Sequence, residues 1–138
     1  MRILVTGANG QLGSTFKNNT DNSYDFIFCN KNDLNFIDKN QIKLFLNQIN
    51  PNIIINCAAY TAVDEAENNE NIASAINFEA VELISKWCKQ NNCFLIHFST
   101  DYVFDGKKQT AYFESDLPNP LSVYGKTKYL GEQAFVKS

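Results

Sequence analysis

The chain has 138 residues, room for one ordinary domain with a real core and not for a second of similar size. With 44% hydrophobic and 20% charged residues it has a globular composition, and its net charge of -3 gives no reason to expect nucleic acid as a partner. No signal peptide and no apolar run long enough to span a bilayer is evident, so neither a membrane nor an exported setting is expected, and a cytoplasmic one is.

The opening run RILVTG is apolar without alternation and ends in glycine, which predicts a buried strand. A helix is expected to open at GQLGSTFKN, and DFIFCN supplies a second strand. After the polar turn KNDLNF, the segment DKNQIKLFLNQIN puts Ile42, Phe45, Leu46 and Ile49 on one helix face, started by Asp38 and stopped near Pro51. NIIINCAA reads as the third strand, and the acidic DEAENNEN leads into a helix carrying Ile76, Val81, Leu83, Ile84 and Trp87. CFLIHFST is the fourth strand, followed by the turn-rich DYVFDGKKQTAYFESDLPNP and a last helix from about Ser122. Strand and helix in alternation, with apolar strands, predict right-handed crossovers and a parallel sheet covered on both faces. The fold class is therefore α/β, a Rossmann-like doubly wound parallel sheet of about four strands.

Cys29, Cys57, Cys88 and Cys93 include no CxxC pair and no metal-ligand spacing, so free thiols are expected and no metal site. His97, inside FLIHFST, has no nearby His or Cys and reads as a strand residue beside a site.

Between the first strand and first helix stands TGANGQLG, with Gly7, Gly10 and Gly13 spaced as GxxGxxG. A dinucleotide asks for this arrangement: a tight turn at Gly7, close backbone approach to the pyrophosphate at Gly10, and close helix packing at Gly13. The spacing alone is a weak signal, and the strand–turn–helix context strengthens it. At the end of the second strand, where an acid often grips the adenosine ribose, the chain reads Cys29, Asn30, Lys31. An acid would repel a 2′-phosphate, whereas Lys31 attracts one, so the sequence leans toward NADPH without excluding NADH; Lys31 is equally readable as a solvated turn residue.

The fourth strand ends in FSTDYVFDG, which brings Ser99, Thr100, Asp101 and Tyr102 to a carboxyl edge, where open parallel sheets bind ligands. On the last helix Tyr124 and Lys128 are four apart and share a face. A free tyrosine titrates near ~10, and a neighbouring ammonium favours its phenolate. Such a pair can pass a proton to a carbonyl oxygen while a hydride reaches its carbon, with Thr100 holding the same oxygen. Taken alone, a tyrosine and a lysine at this spacing also suit an ordinary helix face.

Together these motifs resemble the extended short-chain dehydrogenase/reductase superfamily, and within it the dTDP-4-dehydrorhamnose reductase family. The resemblance is carried by GANGQLG at 7–13, NPNIIINCAAYTAVDEAE at 50–67, STDYVFDG at 99–106 and VYGKTKYLGE at 123–132, in the family's order. It implies reduction of the 4-keto group of a dTDP-linked 4-keto-6-deoxy sugar by NADPH or NADH. It implies Thr100, Tyr124 and Lys128 as the catalytic group, with Tyr124 the proton donor and Lys128 also on the nicotinamide ribose. Gly10, Gln11 and Leu12 would lie against the pyrophosphate, Ala59, Tyr60 and Thr61 would line the cofactor, and Thr100 and Asp101 would meet the sugar. Where the family commonly has an aspartate at the adenine, in a DLDIT-like segment, this chain has DLNFI. Asn35 and Phe36 are thus the adenine-side positions, and an asparagine carbonyl still accepts from an amine. Related 4,6-dehydratases typically carry an acidic pair after the threonine; here Tyr102 follows Asp101, which favours reduction over dehydration, with another nucleotide-sugar epimerase or dehydratase of the superfamily as the alternative.

Family members are about twice as long. The resemblance therefore implies that residues 1–138 are the truncated NAD(P)-binding half, with the C-terminal substrate-binding part absent and little turnover expected from this chain alone. Two other readings stand beside it: a non-catalytic NAD(P)-binding or regulatory module, and an enzyme completed by a complementing C-terminal chain or as a homodimer over the open sheet edge.

Overall fold

Branched, uncharged side chains from Ile3 to Thr6 leave this segment little choice but a strand buried on both faces. In the computed structural model, which describes residues 1–20 and 23–137, it is the central strand β1 (Arg2–Thr6). The chain continues through α1 (Gln11–Asn19), β2 (Asp25–Phe28), α2 (Lys39–Ile49), β3 (Ile53–Asn56), α3 (Val63–Ala66), α4 (Glu70–Ser74), α5 (Ala80–Gln90), β4 (Phe94–His97) and α6 (Val123–Lys137). All pairings are parallel, in the order β2–β1–β3–β4, with Leu4 opposite both Ile27 and Ile54, and Ile54 opposite Leu95. The crossover from β2 to β3 passes beyond β1, so the chain reverses direction at the β1/β3 boundary, where ligands of such sheets sit.

The predicted helix signals hold. Asp38 caps α2 by accepting from Asn40 N and Gln41 N, and Asn50, left-handed at φ 47°, ends it just before Pro51. Ile42 and Leu46 of its apolar face meet Ile84, Trp87, Leu4, Ile54 and Leu95 in one core cluster. Each such fully buried aliphatic side chain contributes roughly 1.5–3 kcal/mol.

Two readings need correction. The helix after DEAENNEN is not uniform: α4 and α5 are joined by a π-helical turn, Ala75–Glu79, which widens the backbone and turns Asn77 inward. The sheet is not covered equally on its two faces. Ile3, Val5 and Ile55 form a second cluster with Phe16 of α1, but on that face of β4 Phe94, Ile96 and the following Phe98 remain 65%, 37% and 37% exposed. The reason is positional: α2 and α5 pack on the opposite face, and α1 lies against β1, short of β4.

All four cysteines are free. Burial pushes the Cys29 thiol up to about 12 and the Cys57 thiol up to about 11, as befits residues that serve as small hydrophobes. Among the described residues no helix is long and apolar enough to cross a membrane, and no cluster of His, Cys, Asp or Glu could hold a metal ion.

Candidate active site at the carboxyl edge of the sheet

The glycine loop links β1 to α1 at the reversal point. Gly7 has φ +66°, and a Cβ there would meet Ala58 N and Cys57 C at 2.7 Å, so only glycine serves. At Gly13 a Cβ would lie 2.3 Å from the Gly7 carbonyl oxygen, which is how closely α1 packs on its own loop. Gly10, by contrast, is exposed and begins α1 with no side-chain cap. The first-turn N–H groups of α1 are therefore left for an acceptor from outside, the arrangement a pyrophosphate needs. Gln11 and Leu12 are exposed on this turn.

Across the reversal point, the segment after β3 is held by Asn77. Asn77 Oδ1 accepts from Tyr60 N at 2.8 Å, and its Nδ2 donates to Tyr60 O at 3.0 Å and to Thr127 Oγ1 at 3.1 Å. One side chain, 1% exposed, thus ties Tyr60, which stands between Ala59 and Thr61, to α6. The spacing rules gave no hint of Asn77, because its role depends on the π-helical turn and on partners 17 and 50 residues away.

The last helix opens with Ser122 Oγ accepting from Gly125 N, while Glu67 Oε1 accepts from Val123 N at 2.8 Å. Gly125 lets it press against the turn Asp101–Val103, since a Cβ would sit 2.3 Å from Tyr102 O. Tyr124, 9% exposed, packs with Ala66 and Ala73, and Tyr102 meets its ring edge-on at a centroid distance of 5.5 Å. Lys128 is only 3% exposed, and its Nζ donates to the Phe98 carbonyl at 2.6 Å. Desolvation pulls this ammonium down to about 8, against a smaller upward pull from Glu132. Thr100 Oγ1 donates to Asp101 Oδ1 at 3.1 Å and accepts from Tyr102 N at 3.2 Å, which holds the β4 exit open toward solvent.

The fold brings Gly7, Gly10, Gly13, Tyr60, Thr100, Asp101, Tyr124 and Lys128 to one edge of the sheet. The adenine-side positions are less uniform. Lys31 and Asn35 are exposed past β2, with Asn35 Oδ1 already accepting from Ile37 N at 3.0 Å, whereas Phe36 is 7% exposed inside the main core. The Phe36 side chain is thus taken up by the core. A groove of about 470 Å³ between α5 and α6, lined by Phe78, Glu82, Leu130 and Gln133, involves none of these residues.

A four-stranded parallel sheet flanked by helices, with a glycine turn after its first strand, makes the chain a Rossmann-like α/β protein. It belongs to the family described as RmlD substrate binding domain, whose model matches residues 1–138. It is 41% identical over 134 residues to dTDP-4-dehydrorhamnose reductase of Aggregatibacter actinomycetemcomitans, covering 96% of this chain and 46% of that protein. It is 36% identical over 145 residues to methionine adenosyltransferase 2 subunit beta of Bos taurus, covering 99% of this chain and 43% of the other. The crystal structure of dTDP-4-dehydrorhamnose reductase from Bacillus anthracis in complex with NADP superposes with a TM-score of 0.93 at 36% identity, over 99% of this chain and 49% of that one. The chain thus spans about half the length of the relatives it matches.

Proposed function

We propose that the chain is the NAD(P)-binding half of a dTDP-4-dehydrorhamnose reductase, acting on a dTDP-linked 4-keto-6-deoxy sugar in the cytoplasm, where its free thiols would persist. The observation that carries this reading is the pairing of Tyr124 and Lys128 on α6 beside Thr100, across from an uncapped helix start behind Gly10. The residues fit a dinucleotide: the α1 N–H groups would take the pyrophosphate, Lys31 a 2′-phosphate, and Tyr60 and Thr61 the face beside it. NADPH or NADH would supply the hydride. Tyr124 would give the proton to the carbonyl oxygen as it becomes an alcohol, Thr100 would donate a hydrogen bond to that oxygen, and Lys128 would hold the ribose and favour the tyrosine's anion once the proton has left. Asp101, exposed at the same edge, would meet the sugar. The remaining grip on the dTDP group would come from further polypeptide, either covalent continuation, a complementing C-terminal chain or a second copy in a homodimer.

Calorimetry on the chain tests this directly. NADPH or NADH binds, and Gly10→Trp, on an exposed turn where a Cβ would lie 3.3 Å from the Gly7 carbonyl oxygen, loses binding while its circular dichroism stays that of the parent; no binding by the parent, or equal binding by the variant, would refute the reading. The chain alone should reduce no 4-keto sugar. Turnover that Tyr124→Phe abolishes would instead favour completion by self-association.

A second reading, a non-catalytic regulatory module, is favoured by the 36% identity to methionine adenosyltransferase subunits. The buried Lys128, costly for a fold to keep without chemical use, argues against it. Reduction by the complete protein would exclude the module.

A further inference from the structure

Thr6, Asn56 and His97 stand at the carboxyl ends of β1, β3 and β4, and their side chains form one row of hydrogen bonds under α6. Thr6 Oγ1 donates to Asn56 Oδ1 at 2.6 Å, Ala58 N–H approaches the same oxygen at 3.3 Å and Thr6 Oγ1 at 3.4 Å, and Asn56 Nδ2 lies 3.1 Å from His97 Nδ1. The Ala58 N–H decides which way the Asn56 amide faces. A backbone N–H only donates, so Asn56 turns its oxygen there and its NH₂ toward His97. His97 Nδ1 is consequently an acceptor, and the ring carries its proton on Nε2.

This row is an interlock. Protonating Nδ1 would set an N–H against the Asn56 NH₂. Rotating the amide to relieve that would set its NH₂ against the Ala58 N–H. His97 Nε2 is buried without a partner among the described residues, facing the α6 backbone at Gly131, where a Cβ would lie 3.7 Å away. Lys128 of α6 is the charged group acting on His97, and Glu132 of the same helix acts on Lys128; β1, β3 and the π-helical turn present neutral Thr6, Asn56 and Asn77.

We propose that His97 is a positioning residue for Lys128, locked neutral by Thr6 and Asn56 so that no second cation stands beside the ammonium on the Phe98 carbonyl. Burial and the nearby Lys128 charge, which hold the imidazole down to about 4, act in the same direction as the interlock. The row also explains why a buried threonine immediately precedes the glycine loop: its hydroxyl orients a residue two strands away. The proposal rests on the role given to Lys128 above, but its test reads the histidine and needs no turnover, so the two fail separately.

His97 is the chain's single histidine, so its ring nitrogens are observable without ambiguity. Long-range ¹H–¹⁵N spectra of the 138-residue chain, from acid to pH 9, should show the Nε2–H tautomer with no protonation above about pH 5. Thr6→Val, which keeps the shape and removes the hydroxyl, should mix the tautomers and raise the protonation midpoint by about one unit, and Thr6→Ser should restore the parent behaviour. Lys128→Met should raise the midpoint by about one unit or more, a tenfold coupling that by linkage equals the disturbance an imidazolium would cause at Lys128. An Nδ1–H tautomer or ordinary titration in the parent would overturn the interlock, as would a Thr6→Val spectrum identical to the parent. A midpoint unmoved by Lys128→Met would overturn the positioning role.

Discussion

The glycine loop and the β4–α6 corner meet at one edge of the sheet, yet they are built by opposite means. The loop works through missing side chains: at Gly7 and Gly13 a single methyl would strike backbone at 2.7 Å and 2.3 Å. The corner works through buried polar side chains, with Lys128 3%, Asn77 1% and Thr6 0% exposed. A loop of the first kind binds by exposing N–H groups at no desolvation cost, whereas a corner of the second kind stores charge and hydrogen bonds at the expense of stability. Replacing a loop glycine should therefore cost stability, whereas replacing the buried charge of the corner should gain it.

The largest effect is expected at Gly13→Ala. Its Cβ has only backbone to displace, so α1 must shift, and the fold should lose about 3 kcal/mol or more by chemical denaturation, with cofactor binding lost as well. A Gly13→Ala chain of parent stability would break the contrast on the loop side. Asn77→Ala should cost about 3 kcal/mol, roughly one for each of its three hydrogen bonds. Lys128→Met should do the reverse. A lysine held at about 8 instead of 10.5 records a desolvation cost of about 3 kcal/mol, so the apolar replacement should gain up to that amount while abolishing the proposed chemistry. In the parent, this cost is present in full below about pH 8 and is relieved as pH rises toward 10.5, and Lys128→Met should flatten that rise.

Acid should act on the same corner to a similar extent. The folded-state His97 midpoint, about 4, lies below the ordinary 6.5, so the unfolded chain takes up the proton first and stability falls as pH drops from about 6.5 to about 4, by about 3 kcal/mol. His97→Gln should remove most of that slope. The smallest effect belongs to Lys31→Ala, an exposed change that should leave stability within about 0.5 kcal/mol while reducing any preference for NADPH over NADH; an unchanged preference would return Lys31 to the surface.

The same contrast explains what could be read from the sequence. GxxGxxG states the loop's requirement locally, because missing side chains show in the letters themselves, and strand, helix and cap signals from Arg2 to Asn56 fell where expected. Tyr124 and Lys128 were legible as a spacing within one helix. Asn77, Asn56 and His97 were not legible as a set, since each acquires its meaning from a partner between 17 and 50 residues away and, for Asn77, from a π-helical turn that no periodicity announces. Phe36 shows the converse: a position carried over by resemblance whose side chain the core had already taken. The exposed apolar face of β4 was hidden for a third reason, because the run CFLIHFST records only that a strand is apolar and not which helix covers it.

If both regions serve one dinucleotide, a crystal structure of the chain grown with NADPH will show a single molecule spanning them. The pyrophosphate should lie on the N–H groups of Gln11 and Leu12, beside Gly10, and the nicotinamide ribose within hydrogen-bonding distance of Tyr124 and Lys128. A nucleotide bound elsewhere, or bound at the glycine loop with its nicotinamide end away from Tyr124 and Lys128, would contradict this.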